Sequence, residues 1–101
     1  MKVEEIEGPS VARPSALSLR QNYPNPFNAS TLIQIEIPKT QNLRVAVYNT
    51  SGERVSLLHE GTTAAGIHAY RWDASGLPTG LYIYRLEAGS CRISRKMFLL
   101  K

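Results

Sequence analysis

The chain has 101 residues, 43% of them hydrophobic and 20% charged, which leaves room for one hydrophobic core and excludes a chain that is disordered throughout or embedded in a membrane. Twelve Lys and Arg residues against eight Asp and Glu give a net charge of +4, but the basic residues are scattered rather than massed, which argues against a nucleic-acid surface. A single cysteine, Cys91, excludes an internal disulfide and a thiolate metal centre. It reads as a small apolar residue buried or half-buried in a strand.

Residues Met1 to Ala16 mix acids with Gly8, Pro9 and Pro14 and lack apolar periodicity, the composition of a linker or tail, so residues 1–16 are assigned to a flexible segment and 17–101 to the folded domain. Glu4, Glu5 and Glu7 are the opposite of a cationic signal-peptide start, and no apolar run approaches the roughly 18 residues that span a bilayer. Any export signal is therefore expected elsewhere.

From Leu17 the pattern has period two. A short strand over Leu17–Gln21 is followed by one carrying Ile33, Ile35 and Ile37 on a single face, and by another carrying Leu43, Val45 and Val47. Pro38 ends the former, and the polar link from Lys39 to Asn42 predicts that these two strands pair as a hairpin. Asn49–Gly52, reading NTSG, predicts a tight turn with Gly52 at positive φ, after which Glu53–His59 resumes as a strand. Gly61–Gly66 reads as a loop. Ile67–Trp72 is the next strand, with His68, Tyr70 and Trp72 on one face and Trp72 toward the core. The turn-rich Asp73–Gly80 leads to Leu81–Glu87, which bears Tyr82, Tyr84 and Leu86 on one side. Cys91–Leu100 is the last strand, with Ile93, Met97 and Leu99 inward. Seven strands at spacings of about ten residues, with no helical segment, predict an all-β, seven-stranded antiparallel β-sandwich.

Few groups offer chemistry. His59 and His68 are the only histidines, no nucleophile–base spacing accompanies them, and hydrogen-bonded structural roles are expected, so no catalytic residue and no cofactor are assigned. Asp73, Ser75 and Thr79 supply oxygens near a sandwich end, but a lone carboxylate before a turn reads as an Asx-turn former rather than a calcium ligand. Trp72, Tyr70, Tyr82 and Tyr84 are expected in the core rather than as a sugar-stacking platform. In NYPNPFN, Pro24 and Pro26 either present Tyr23 and Phe27 as an epitope on a pre-ordered backbone or carry the chain across the sandwich end, with both rings plugging the core; the second is favoured. The terminus RKMFLLK supports two readings equally: a recognised edge strand with charges and apolar side chains for a receptor, or an ordinary edge strand whose charges deter stray pairing.

Four segments carry a more specific signal: NYPNPFNASTLIQIEIP from Asn22, VAVYNTSGERV from Val45, AGIHAYRWDASGLPTGLYIYRLEAG from Ala65, and RKMFLLK from Arg95. In that order and spacing they resemble the type A C-terminal sorting domain of proteins exported by the type IX secretion system of Bacteroidetes and related phyla, over Leu17–Lys101. The resemblance implies an immunoglobulin-like or fibronectin III-like sandwich, similar also to the Ig-like domain of the flagellar hook-capping protein. A monomer without cofactor or nucleic-acid partner is expected, and the resemblance implies that it is covalently linked behind an N-terminal passenger that performs any chemistry. Such a domain is read by the outer-membrane translocon after passage through the periplasm, and in many members a sortase removes it and joins the passenger to an anionic surface lipopolysaccharide. The resemblance tips RKMFLLK toward recognition, with Arg95, Lys96, Met97, Leu99, Leu100 and Lys101 as the expected contact residues. Two departures stand out: Ala29 where the family usually has proline, and Ala74 where WDG is usual. A carbohydrate-binding sandwich and a structural spacer or assembly module are the alternatives.

Overall fold

The alternation of apolar residues becomes burial in the computed structural model, which describes residues 3–6 and 16–101. Ile33, Ile35, Ile37, Val45, Val47, Tyr84 and Leu86 are completely buried, while the residues between them on each strand face outward or lie half-buried, except Ala46, which is buried as well. The described residues form eight strands and no helix: β1 (Val3–Ile6), β2 (Ser18–Leu19), β3 (Ser30–Ile37), β4 (Gln41–Tyr48), β5 (Arg54–Thr63), β6 (Gly66–Asp73), β7 (Gly80–Ala88) and β8 (Cys91–Leu99). Two four-stranded antiparallel sheets, ordered β1-β6-β3-β2 and β5-β4-β7-β8, enclose one core between them. The predicted all-β sandwich is thus present.

All seven expected strands are found, and Val3–Ile6 adds an eighth along β6, with Val3 opposite Tyr70 and Ile6 opposite Ile67. The rest of the segment assigned as a linker, apart from the exposed Ala16, lies outside the described residues.

The pairing differs from the sequence reading in one respect. β3 and β4 do not form a hairpin, because the link after Pro38 carries the chain from one sheet to the other. β3 pairs with β6, Ile33 opposite Tyr70 and Ile35 opposite His68, and its isoleucines meet Leu43, Val45 and Val47 within the core rather than edge to edge. Stacking two apolar faces removes far more surface from water than aligning two half-exposed strands side by side. The hairpins are β4–β5 and β7–β8.

The predicted loop Gly61–Gly66 is also shorter than expected. β5 continues to Thr63, opposite Gln41, and only Ala64 and Ala65 separate it from β6. The β-branched Thr62 and Thr63 extend the ladder past Gly61.

Turn chemistry follows local sequence. Asn49 Oδ1 accepts the N–H groups of Ser51 and Glu53, both at 3.0 Å, Asn49 C=O accepts from Gly52 N at 3.0 Å, and Gly52 takes φ +87°. A side-chain oxygen that caps the turn and a residue without Cβ remove the two obstacles to tight reversal.

At the centre of the core Trp72 packs between Phe27 and Tyr82, with ring centroids 5.8 and 5.9 Å away and tilted or edge-on geometry. Such pairs add about 0.5–1.5 kcal/mol each beyond area burial. Phe27 comes from the irregular segment between β2 and β3, so that segment is part of the core.

Candidate functional site at the edge of the last strand

β8 is an edge strand of its sheet, and its two halves differ. Cys91 to Lys96 are exposed apart from the half-buried Ile93, whereas Met97 and Leu99 are buried beside the exposed Phe98. Cys91, expected to be at least half-buried, is exposed, since it follows the hairpin turn directly and begins the uncovered half of an edge.

In an antiparallel ladder, residues alternate between those that bond to the neighbouring strand and those whose N–H and C=O point away from it. On β8 the even-numbered residues point away from β7. Phe98 N–H donates to Asn25 Oδ1 at 3.0 Å, Phe98 C=O accepts from Phe27 N at 3.0 Å, and Leu100 N–H donates to Phe27 C=O at 2.9 Å. One step earlier, Lys96 C=O accepts from Gln21 Nε2 at 2.9 Å. The segment Gln21–Phe27 therefore closes this part of the edge, supplying the partners that a further strand would supply.

The closing segment is itself anchored in the core. Phe27 is 1% exposed. Buried Tyr84 Oη donates to Arg20 C=O and accepts from Asn22 N–H, both at 2.7 Å, and burial pushes its pKa up to about 12, keeping it a donor. Asn22 Nδ2 donates to Thr31 Oγ1 at 2.9 Å and Pro24 C=O at 3.1 Å. The Tyr23–Pro24 and Asn25–Pro26 bonds are both cis. Of the two aromatic side chains expected to plug the core, Phe27 does so, whereas Tyr23 is 78% exposed because its backbone, bonded to Leu32, faces the side chain outward.

The residues expected to contact a receptor separate by orientation. Met97 and Leu99 lie inside the core at 1% and 0% exposure, while Leu100 is 51% exposed. Arg95 turns its guanidinium to Leu19 C=O across the rim. Lys96 faces outward on the sheet, opposite Ile83. Lys101 is held to the turn after β6, through N–H to Thr79 Oγ1 at 3.1 Å and Nζ to Ser75 C=O at 2.8 Å. Phe98, not among the contact residues expected from the sequence, is exposed beside its cross-strand partner Leu81. The alternation that buries Met97 and Leu99 already assigns Phe98 and Leu100 to the outer face.

The remaining candidates have structural partners. His68 Nε2 donates to Ala64 C=O at 2.7 Å. His59 Nε2 lies 2.7 Å from Thr63 Oγ1, and its ring stacks on Tyr70 at 5.5 Å; burial, then the nearby His68, lowers its pKa. Asp73 Oδ1 accepts Ser75 N–H at 2.9 Å as an Asx turn, and that bond lowers its pKa. Trp72, Tyr70, Tyr82 and Tyr84 are all at most 4% exposed, so they offer no sugar ring a stacking surface. Among the described residues no group of three His, Cys, Asp or Glu side chains converges as a metal site.

The two family departures meet in space: Ala74 N–H donates to Ala29 C=O at 2.6 Å. Ala29 sits at φ +74°, a conformation closed to proline, whose ring holds φ near about −65°.

No curated protein matches the chain, but the family model described as a secretion system C-terminal sorting domain matches residues 21–100. The match starts at Gln21, where the closing segment first touches β8, and ends at Leu100, the last residue it bonds. The chain therefore belongs to the secretion system C-terminal sorting domain family, and it is a type IX sorting signal that marks proteins for export to the cell surface or the extracellular medium.

Proposed function

We propose that the domain is read by the outer-membrane translocon through the outward side of its terminal segment, while attached behind a passenger that is the exported cargo, and that it performs no reaction itself. The observation that supports this reading is the bonding of Phe27 to Phe98 and Leu100, which joins the NYPNPFN and RKMFLLK motifs into one surface. Lys96, Phe98, Leu100 and Lys101 then present charge and apolar area together, with Arg95 at the rim, whereas Met97 and Leu99 act by holding the strand in place. After export the domain is a substrate for sortase removal.

The test is fusion of the full chain behind a periplasmic reporter in a type IX-competent cell. Leu100→Glu and Lys96→Glu, both at exposed positions, should leave the melting temperature of the purified domain nearly unchanged and reduce surface display at least severalfold. Normal display by the folded double variant, or by a chain lacking Lys96–Lys101, would remove the basis for this reading.

A further inference from the structure

We infer that the open half of the β8 edge, Arg92 to Lys96, is a β-addition site for an extended acidic segment of a partner protein. The inference rests on β8 being the recognised element, and it moves the backbone contact away from the terminal residues.

The closing segment bonds Lys96 C=O, Phe98 and Leu100 N–H, and reaches no further along the strand. By the same ladder parity, the N–H and C=O of Arg92 and Ser94 and the N–H of Lys96 point away from β7. β8 has no other neighbour in its sheet. A row of edge donors and acceptors is a template for another strand.

The side chains select the occupant. Arg92, Ser94 and Lys96 face the outer surface, where an added strand would set its own side chains directly opposite theirs. Arg92 shares Glu87 with Arg44, at 3.3 and 2.6 Å, while no carboxylate among the described residues pairs with Lys96. An incoming strand with acids opposite Arg92 and Lys96, a small polar residue opposite Ser94, and apolar residues on its other face would match both charges and cover the half-buried Ile93.

A second copy of the chain fits poorly. Antiparallel pairing of two β8 strands about Ser94 sets Arg92 against Lys96 of the other copy twice, and like charges directly opposite are destabilising. The charges that deter self-pairing are the ones an acidic strand would use.

The experiment titrates the full chain with the synthetic peptide Val-Glu-Val-Thr-Val-Glu-Val and with its Lys-for-Glu counterpart, read by NMR shifts and by amide hydrogen exchange. The acidic peptide should slow exchange at Arg92, Ser94 and Lys96 and leave Phe98 and Leu100 unchanged, and the Lys peptide should bind at least about tenfold more weakly. Ser94→Pro removes an N–H that the fold does not use, so it should abolish binding with the melting transition retained. Arg92→Glu with Lys96→Glu should reverse the preference between peptides. Equal binding of both peptides, unchanged exchange at these amides, or a β8-paired dimer in sedimentation would overturn the inference. Normal export of the reporter fusion alongside any of those results would reject edge addition and leave the sorting role standing.

Discussion

Arg92 to Lys96 and Met97 to Leu99 belong to one strand and share one neighbour, and Leu100 continues the second stretch just past the strand end, but the two stretches are stabilised by different means. Met97 to Leu100 alternates two buried side chains, Met97 and Leu99, with the exposed Phe98 and Leu100, and its free edge is bonded by Phe27 and Asn25. Arg92 to Lys96 buries only half of Ile93 and carries Arg92, Arg95 and Lys96. An edge can be protected either by covering its backbone or by placing charge on it. This strand uses both, and the change from one to the other falls at Lys96, whose C=O is covered by Gln21.

The largest test of that contrast is Phe27→Ala. Removing a fully buried aromatic side chain should cost about 3–5 kcal/mol in urea unfolding. Because the same residue holds the backbone that closes the edge, exchange at Phe98 and Leu100 should accelerate more than at residues of β3. Uniform acceleration through the domain would mean that closure is incidental to core packing.

Tyr84→Phe should cost about 1–3 kcal/mol, since Arg20 C=O and buried Asn22 N–H both lose their partner. The closing segment would then loosen at its root while Phe27 stays in the core. Equilibrium unfolding checks the loss, and a neutral result would show that the anchor is Phe27 alone.

Asn25→Ala removes one exposed hydrogen bond to Phe98 N–H and should cost about 0.5–1.5 kcal/mol. Exchange should rise at Phe98 and stay constant at Ser94. A rise at both would mean that the two halves open together.

The smallest effect expected is a pH dependence away from the rim. His59 has a folded pKa below its usual value because of burial and of His68. Its contribution is complete above the unfolded pKa of about 6.5 and is lost as pH falls from there toward the folded value. Melting curves between about pH 8 and about pH 5 should show a modest decline that His59→Gln flattens. Exchange at Phe98 should not follow it, which would separate the β5 end of the sandwich from the β8 rim.

Strand positions were legible in the sequence because the backbone forces side chains to alternate, so Ile33, Ile35, Ile37 and Tyr82, Tyr84, Leu86 declare their face without reference to any partner. The turns were legible for the same local reason: Asn49, Gly52 and Asp73 act on residues next to them. Alternation also separates Met97 and Leu99 from Phe98 and Leu100, so the terminal residues expected as one contact set divide into a buried pair and exposed residues.

Pairing was not legible. A strand's period fixes which residues are apolar-facing but is silent on which edge it meets, so the short polar link after Pro38 suited a hairpin and a sheet-to-sheet crossing equally. Nor could local pattern show that Phe27 would enter the core while Tyr23 stayed in solvent, since both flank the same prolines. Periodicity, turn residues and motif spacing were enough to define an all-β domain, its faces, its turns and its sorting-domain character. That Gln21–Phe27 covers Lys96–Leu100 and stops there emerges in the folded chain alone, because that bonding joins groups more than seventy residues apart, and no local preference of either segment specifies the other.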